Sequence, residues 1–300
     1  MATFNTWISA ARLRTLPLSV SGILVGTSIA VAQGEFHAVI FALALATTLG
    51  LQILSNFAND YGDFVKGTDN EEGVGPVRSL QSGLITREEM YSAVVATAVV
   101  TFLFAAALIF VAFGGKNNFF LVLFLLLAIA AIAAAVKYTV GTTAYGYKGL
   151  GDLFVFIFFG LVGVFGSYFL YALEWEWEVL LPSITIGLLS TGVLNINNMR
   201  DLVPDSRAGK RTLAVKLGFD RARGYHYFLI LASLFSLLLY SALTFKELND
   251  LLYLPGLVPL MLHLNRVMNN EQPSLLDPEL KKLALNTFLL AFLFALGQVL

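Results

Sequence analysis

The sequence predicts an all-α, polytopic transmembrane bundle of about nine helices, and three observations carry that expectation. Of its 300 residues, 57% are hydrophobic and only 13% charged, with a mean hydropathy of +0.76, so the chain cannot present the charged surface of a soluble protein. Its apolar runs are long: Asn118 to Val136 reads NFFLVLFLLLAIAAIAAAV, and Tyr227 to Phe245 is nearly as apolar. Both reach the ~20 residues that a bilayer span requires. With nine spans, 17 of the 19 basic residues fall on alternate segments that share one side, leaving only Lys116 and Lys246 for the other.

Taken in order, the first span is expected near 16–33, after a polar, aromatic start that holds Arg12 and Arg14 and has no convincing cleavage site, so it serves as its own insertion signal. The second, 38–59, runs into a cluster of Asn and Asp. The third, 89–113, follows a polar segment with Lys66, Arg78 and Arg87, and the fourth occupies 118–136. The fifth, 151–172, follows the Gly-rich stretch Lys137 to Asp152. An acidic turn with Trp175 and Trp177, suited to a membrane interface, separates it from the sixth, 179–199. A second Asn/Asp cluster and seven basic residues precede the seventh, 224–245; the eighth, 250–267, is interrupted by Pro, and the ninth is 281–299. This alternation places the N terminus in the cytoplasm and the C terminus outside, with residues 1–300 forming a single integral domain of the plasma (inner) membrane.

Several chemistries are excluded at once. Without Cys there is no disulfide framework, thiolate nucleophile or thiolate metal site, and no basic tail suggests nucleic acid. His37, His226 and His263 lie outside both Asn/Asp clusters and read as structural or interfacial.

The chemistry resides in those clusters. At the end of the second span stand Asn56, Asn59, Asp60, Asp63, Lys66 and Asp69. Asn56, Asp60 and Asp63 are spaced i, i+4, i+7, one face of a helix, where they can converge on one ion. Two carboxylates this close repel each other, and a shared proton or a divalent cation relieves them. The end of the sixth span carries Asn197, Asn198, Arg200, Asp201, Asp205, Lys210 and Arg211. Asn197 and Asp201 again share a face; Pro204 is expected to end the helix before Asp205. Hard oxygen ligands without His or Cys suit Mg²⁺, which bridges carboxylates to phosphates. A cation transporter would need the acids but not the interleaved Lys66, Arg78, Lys210 and Arg211. A metal-bound polyphosphate explains both, because the basic groups take the oxygens that the metal leaves free. A diphosphate so held is a good leaving group from an allylic carbon. The two polar segments, Asp60 to Glu89 and Arg200 to Arg223, each follow an even-numbered span, a weak hint of internal duplication. In the stretch between spans four and five, Tyr145, Lys148 and Asp152 lie within reach of the same cavity; it matches no P-loop pattern, and a plain interfacial turn accounts for it equally well.

The paired signatures Asn56-x-x-Asn59-Asp60-x-x-Asp63-x-x-Lys66-Gly67-x-Asp69 and Asn197-Asn198-x-Arg200-Asp201-x-x-x-Asp205-x-x-x-Gly209-Lys210-Arg211 resemble those of the UbiA superfamily of intramembrane prenyltransferases. Arg12-Leu-Arg14-Thr15, Gly75-Pro76-Val77-Arg78 and Tyr145-Gly-Tyr-Lys148-Gly-Leu-Gly-Asp152 are similar to its 1,4-dihydroxy-2-naphthoate branch. The resemblance implies nine helices around a central cavity capped by Asp-rich segments. It implies Mg²⁺ on Asp60, Asp63, Asp201 and Asp205. Lys66, Arg78, Lys148, Lys210, Arg211 and Tyr145 would bind diphosphate, with Asn56 and Asn197 supporting the metal shell. The partners so implied are a polyprenyl diphosphate, 1,4-dihydroxy-2-naphthoate and the lipid bilayer. Other aromatic acceptors, such as 4-hydroxybenzoate, homogentisate or a chlorophyllide-type alcohol, remain alternatives, with a cation-coupled transporter behind them. Where many members carry a further Asp, this chain has Gly67, with Asp69 two residues later.

Overall fold

The computed structural model describes residues 2–68, 78–115 and 117–300. Among them are nine helices long and apolar enough to cross a membrane: α1 Phe4–Ala32, α2 Ala38–Val65, α3 Arg87–Phe113, α4 Asn118–Lys137, α5 Gly151–Ala172, α6 Trp177–Arg200, α7 Phe219–Thr244, α8 Leu248–Met268 and α9 Pro273–Val299. The described residues include no strand. The expected all-α, polytopic architecture is therefore the observed one.

The ends of the helices follow local chemistry. Thr86 and Glu89 form a reciprocal capping box at the start of α3, and the Asn117 side chain accepts from the Phe120 amide to start α4. Helix α1 begins well before the expected start at residue 16, because it is two helices, Phe4–Ala11 and Leu16–Ala32. Between them Arg12 adopts a left-handed backbone, φ 51°, uncommon for a non-Gly residue. Helix α2 runs to Val65, six residues past its apolar run, and so carries the whole first cluster in helical register.

Helix α6 is the central post, packed against α5, α7 and α9. The middle of α5, Phe156–Gly166, is wound as a π-helix. It lies so close to α1 and α6 that a Cβ on Gly26 would sit 2.2 Å from the Val164 carbonyl oxygen, and one on Gly160 2.6 Å from that of Ser183. Glycine permits this backbone contact, as in other membrane helix pairs. At the end of the bundle away from the Asp clusters, Phe113, Phe120, Phe124, Phe165 and Phe169 form a continuous aromatic layer, with Phe124 stacked on Phe169 at 5.8 Å.

Candidate active site

Among the described residues a large cavity, about 1210 Å³, opens among α1 to α6, and both Asp clusters line it. Its depths are apolar, formed by residues such as Leu18, Ile109, Phe124, Ala131, Phe158 and Val162; its mouth is charged. From Ala44 to Asp60, both lining, α2 rises about 24 Å at 1.5 Å per residue, most of the ~30 Å thickness of a bilayer's hydrocarbon.

Asp60 and Asp63 are buried within the first cluster. The Arg12 guanidinium donates to Asp60, held there by the left-handed turn between the halves of α1. Arg78 donates to Asp63 Oδ2 at 2.7 Å and lies 3.8 Å from Asp60. The Tyr147 hydroxyl donates to Asp63 Oδ1 at 2.7 Å. Asn56 directs its amide nitrogen to the Ala11 carbonyl, 2.8 Å, and to Thr15 Oγ1, 3.2 Å, so it pins the break in α1 beside the site.

The second cluster is held by different means. Arg200, buried, forks onto both oxygens of Asp201 at 2.8 and 2.6 Å, donates to Asn197 Oδ1 at 3.0 Å and reaches Asp277 of α9 at 2.7 Å. Pro204 does not part Asp205 from the cluster. The chain ends one helix at Arg200 and starts another, Leu202–Arg207, so Pro204 lies in a first turn where its missing N–H costs nothing, and the Asp205 amide still donates to the Asp201 carbonyl at 2.8 Å. Asp205 is 3.5 Å from Lys210, and its Oδ2 is buried without a partner among the described residues.

The two clusters end in the same way, which gives substance to the hint of duplication. After Asp63, Gly67 at φ 67° lets the Thr68 amide reach the Asp63 carbonyl; after Asp205, Gly209 at φ 72° lets the Lys210 amide reach the Asp205 carbonyl. Both are Schellman caps with glycine at the left-handed position. A side chain at Gly67 would be strained at this φ, so glycine suits the cap. Asp69, like Gly75 to Val77, lies outside the described residues.

Lys210 joins the clusters electrostatically. Burial works against its charge, but Asp63 and Asp205 outweigh it and hold the ammonium pKa above its ordinary value. Burial, seconded by Asp201 and Asp63 against Lys210, pushes the Asp205 carboxyl up to about 6. Burial likewise raises the Tyr145 and Tyr147 phenols.

The remaining expected residues are distributed less simply. Asn197 and Tyr145 line the cavity, but the Tyr145 hydroxyl donates to the Ala134 carbonyl at 2.9 Å and its ring stacks on Phe154 at 4.0 Å. Lys66 is exposed, its Nζ 3.8 Å above the Tyr147 ring. Lys148 and Arg211 are exposed and do not line the cavity; their backbones bind Lys216 and Tyr147. Asp152 is buried outside the cavity lining. Arg12 and Tyr147 were not singled out from the sequence, although the basic Arg12-Leu-Arg14 at an apolar span's start was a usable signal. His226 and His263 sit in a separate buried network, Nε2 to Nε2 3.0 Å, with Glu279 2.7 Å from His263 Nδ1.

The donor set fits Mg²⁺. Among the described residues no three His, Cys, Asp or Glu side chains converge to hold a metal alone; Mg²⁺ keeps waters and takes phosphate oxygens, so it does not require them to. The unpartnered Asp205 oxygen, the all-oxygen chemistry and the flanking cations suit a metal that bridges to a polyphosphate.

The chain matches the UbiA prenyltransferase family over residues 19–280. It is 43% identical over 293 residues, 98% of this chain and 94% of the relative, to the 1,4-dihydroxy-2-naphthoate octaprenyltransferase of Escherichia coli, and 40% identical over 294 residues, 97% and 94%, to that of Haemophilus influenzae. Among solved structures, it superposes on the apo UbiA homolog of Aeropyrum pernix with a TM-score of 0.71 at 18% identity, covering 95% of this chain and 97% of that one. It superposes on the Archaeoglobus fulgidus UbiA homolog bound to GPP and Mg²⁺ with 0.67 at 14% identity, covering 96% and 99%.

Proposed function

The chain belongs to the UbiA prenyltransferase family, and we infer that it transfers a polyprenyl group from its diphosphate to 1,4-dihydroxy-2-naphthoate, releasing diphosphate and carbon dioxide and forming the demethylmenaquinone skeleton as its quinol. The observation that carries this reading is a large cavity with four carboxylates and their cations at its mouth and a deep apolar body below.

Asp60, Asp63, Asp201 and Asp205 would hold Mg²⁺, which when bound neutralises the diphosphate and favours its departure. Arg78 and Lys210, placed among these acids, take phosphate oxygens and stabilise the charge that grows as the C1–O bond breaks. The electron pair of that bond leaves with the diphosphate. The apolar walls keep water from the allylic cation. The ring carbon bearing the carboxylate then bonds to C1. The carboxylate departs as CO2, and its C–C bonding pair restores the aromatic ring. No base is required to remove a ring proton. Lys66, Lys148 and Arg211, exposed near the mouth, are assigned to diphosphate capture before it settles. Residues 1–300 act as one unit in the plasma membrane, with the mouth toward the cytoplasm, where both substrates' polar ends reside.

The test is turnover by purified protein of a polyprenyl diphosphate with naphthoate carrying a ¹³C-labelled carboxylate. Labelled CO2 in step with prenylated naphthoquinol supports the reading. Prenylation of 4-hydroxybenzoate but not of the naphthoate would retain the transferase and overturn the acceptor.

A further inference from the structure

Five cations line the cavity, Arg12, Arg14, Arg78, Arg200 and Lys210, against four carboxylates. Four of these cations are already paired, with Asp60, Asp63, Asp201 and Asp205 in turn. Arg14 is the surplus one. Among the described residues its guanidinium has neither an ion-pair nor a hydrogen-bond partner, although it is exposed at the cavity wall, in the short segment Leu13–Thr15 that follows the Arg12 break. A chain that places an uncompensated planar cation in a substrate cavity has prepared it for an anion, and guanidinium geometry favours the two oxygens of a carboxylate.

The residue next to it leads into a polar strip. Thr15 Oγ1 accepts from Gln52 Nε2 at 3.2 Å and from Asn56 Nδ2 at 3.2 Å, which leaves the Gln52 carbonyl oxygen without a partner among the described residues, in a wall that also includes Thr48, one helical turn farther along α2. Gln52 lies two helical turns, about 12 Å of rise, below Asp60. An aromatic ring at that level lies just beneath the allylic carbon of a diphosphate held at the Asp clusters, with hydroxyl acceptors available to its phenols.

We propose that Arg14 and Gln52 form the acceptor subsite, Arg14 receiving the carboxylate of the aromatic acceptor and Gln52 one of its phenolic hydroxyls. This rests on the carboxylated-acceptor reading above. It separates two jobs among the cations: the paired four serve metal and diphosphate, and Arg14 serves the acceptor.

The experiment compares two competitive inhibitors of prenyl transfer, 1-hydroxy-2-naphthoate and 1-naphthol, which share the ring and one hydroxyl and differ in the carboxylate. Wild type, Arg14→Gln and Arg14→Lys are assayed as full-length protein at fixed Mg²⁺. Loss of a charged hydrogen-bonding partner predicts that Arg14→Gln weakens 1-hydroxy-2-naphthoate roughly ten- to a hundredfold while 1-naphthol changes less than twofold, and that Arg14→Lys recovers part of the loss. The KM for the polyprenyl diphosphate stays within about twofold. Equal losses for both inhibitors, or a rise in the diphosphate KM in place of the acceptor effect, would overturn the subsite and assign Arg14 to general packing or to the donor. Wild-type protein that prenylates only phenols lacking a carboxylate would instead sink the acceptor reading, and the subsite with it.

Discussion

Replacing Arg200 by lysine keeps its charge and removes its fork, and the structure allows the effect to be estimated. The guanidinium makes four hydrogen bonds: two to Asp201, one to Asn197 and one to Asp277. A lysine ammonium on a flexible stem retains one acidic contact at most, so Asp201 loses its bidentate restraint and α9 loses its tie to the site. A hydrogen bond to a charged group contributes ~1.5–3 kcal/mol. Asp201 keeps 20% of its side-chain exposure, and water recovers part of that, leaving about 2 kcal/mol. Expressed in the transition state, this is a roughly thirtyfold fall in kcat/KM, with a modest loss of thermal stability. Steady-state prenyl transfer at saturating Mg²⁺, with unfolding followed in the same detergent, reads both. An Arg200→Lys enzyme within twofold of wild type in kcat/KM would refute the idea that this fork positions Asp201.

Asp205, with its carboxyl raised to about 6 chiefly by burial, is protonated below that pH, and its proton competes with metal. From pH 7 to pH 5 the Mg²⁺ concentration for half-maximal activity should therefore rise about tenfold from this group, and a flat profile would contradict its part in metal binding. Tyr147→Phe keeps the ring beneath Lys66 but removes the 2.7 Å hydrogen bond to Asp63, so kcat/KM should fall roughly tenfold while the acceptor KM is unchanged; wild-type activity would show that the phenol does not restrain Asp63. Gly26→Ala would place a Cβ 2.1 Å from Ser167 Oγ and 2.2 Å from the Val164 carbonyl oxygen, the latter backbone that cannot step aside. It should cost about 1–3 kcal/mol in unfolding, and an unaltered Tm would deny the close α1–α5 contact.

The spans were legible because a bilayer enforces length and apolarity on every helix and sorts basic loops to one side, constraints written directly in composition. The first Asp cluster was legible too, since i, i+4, i+7 spacing survives once α2 extends to Val65. The α1 break was not legible: nothing in the local sequence announces a left-handed Arg12, and the contacts that hold it come from 45 and 48 residues away, Asn56 on the Ala11 carbonyl and Asp60 on the Arg12 guanidinium. Pro204 misled for a related reason. Proline ends a helix, but it also tolerates a first turn, and the new start at Leu202 turned a breaker into a continuation. Lys148 and Arg211 show the limit of charge counting, because a basic residue near a site in sequence can spend its backbone there and leave its side chain in solvent. The π-wound middle of α5 reflects tertiary fit against α1 and α6, which no periodicity in the segment announces.

The central claim is that the two Asp clusters act together through Mg²⁺ on one diphosphate. The most direct test is prenyl transfer to 1,4-dihydroxy-2-naphthoate by wild type, Asp60→Asn and Asp201→Asn across a Mg²⁺ titration, with folding verified for each. Product is expected only with Mg²⁺ and is lost in both variants. Full activity in chelator, or in either variant, would contradict that claim.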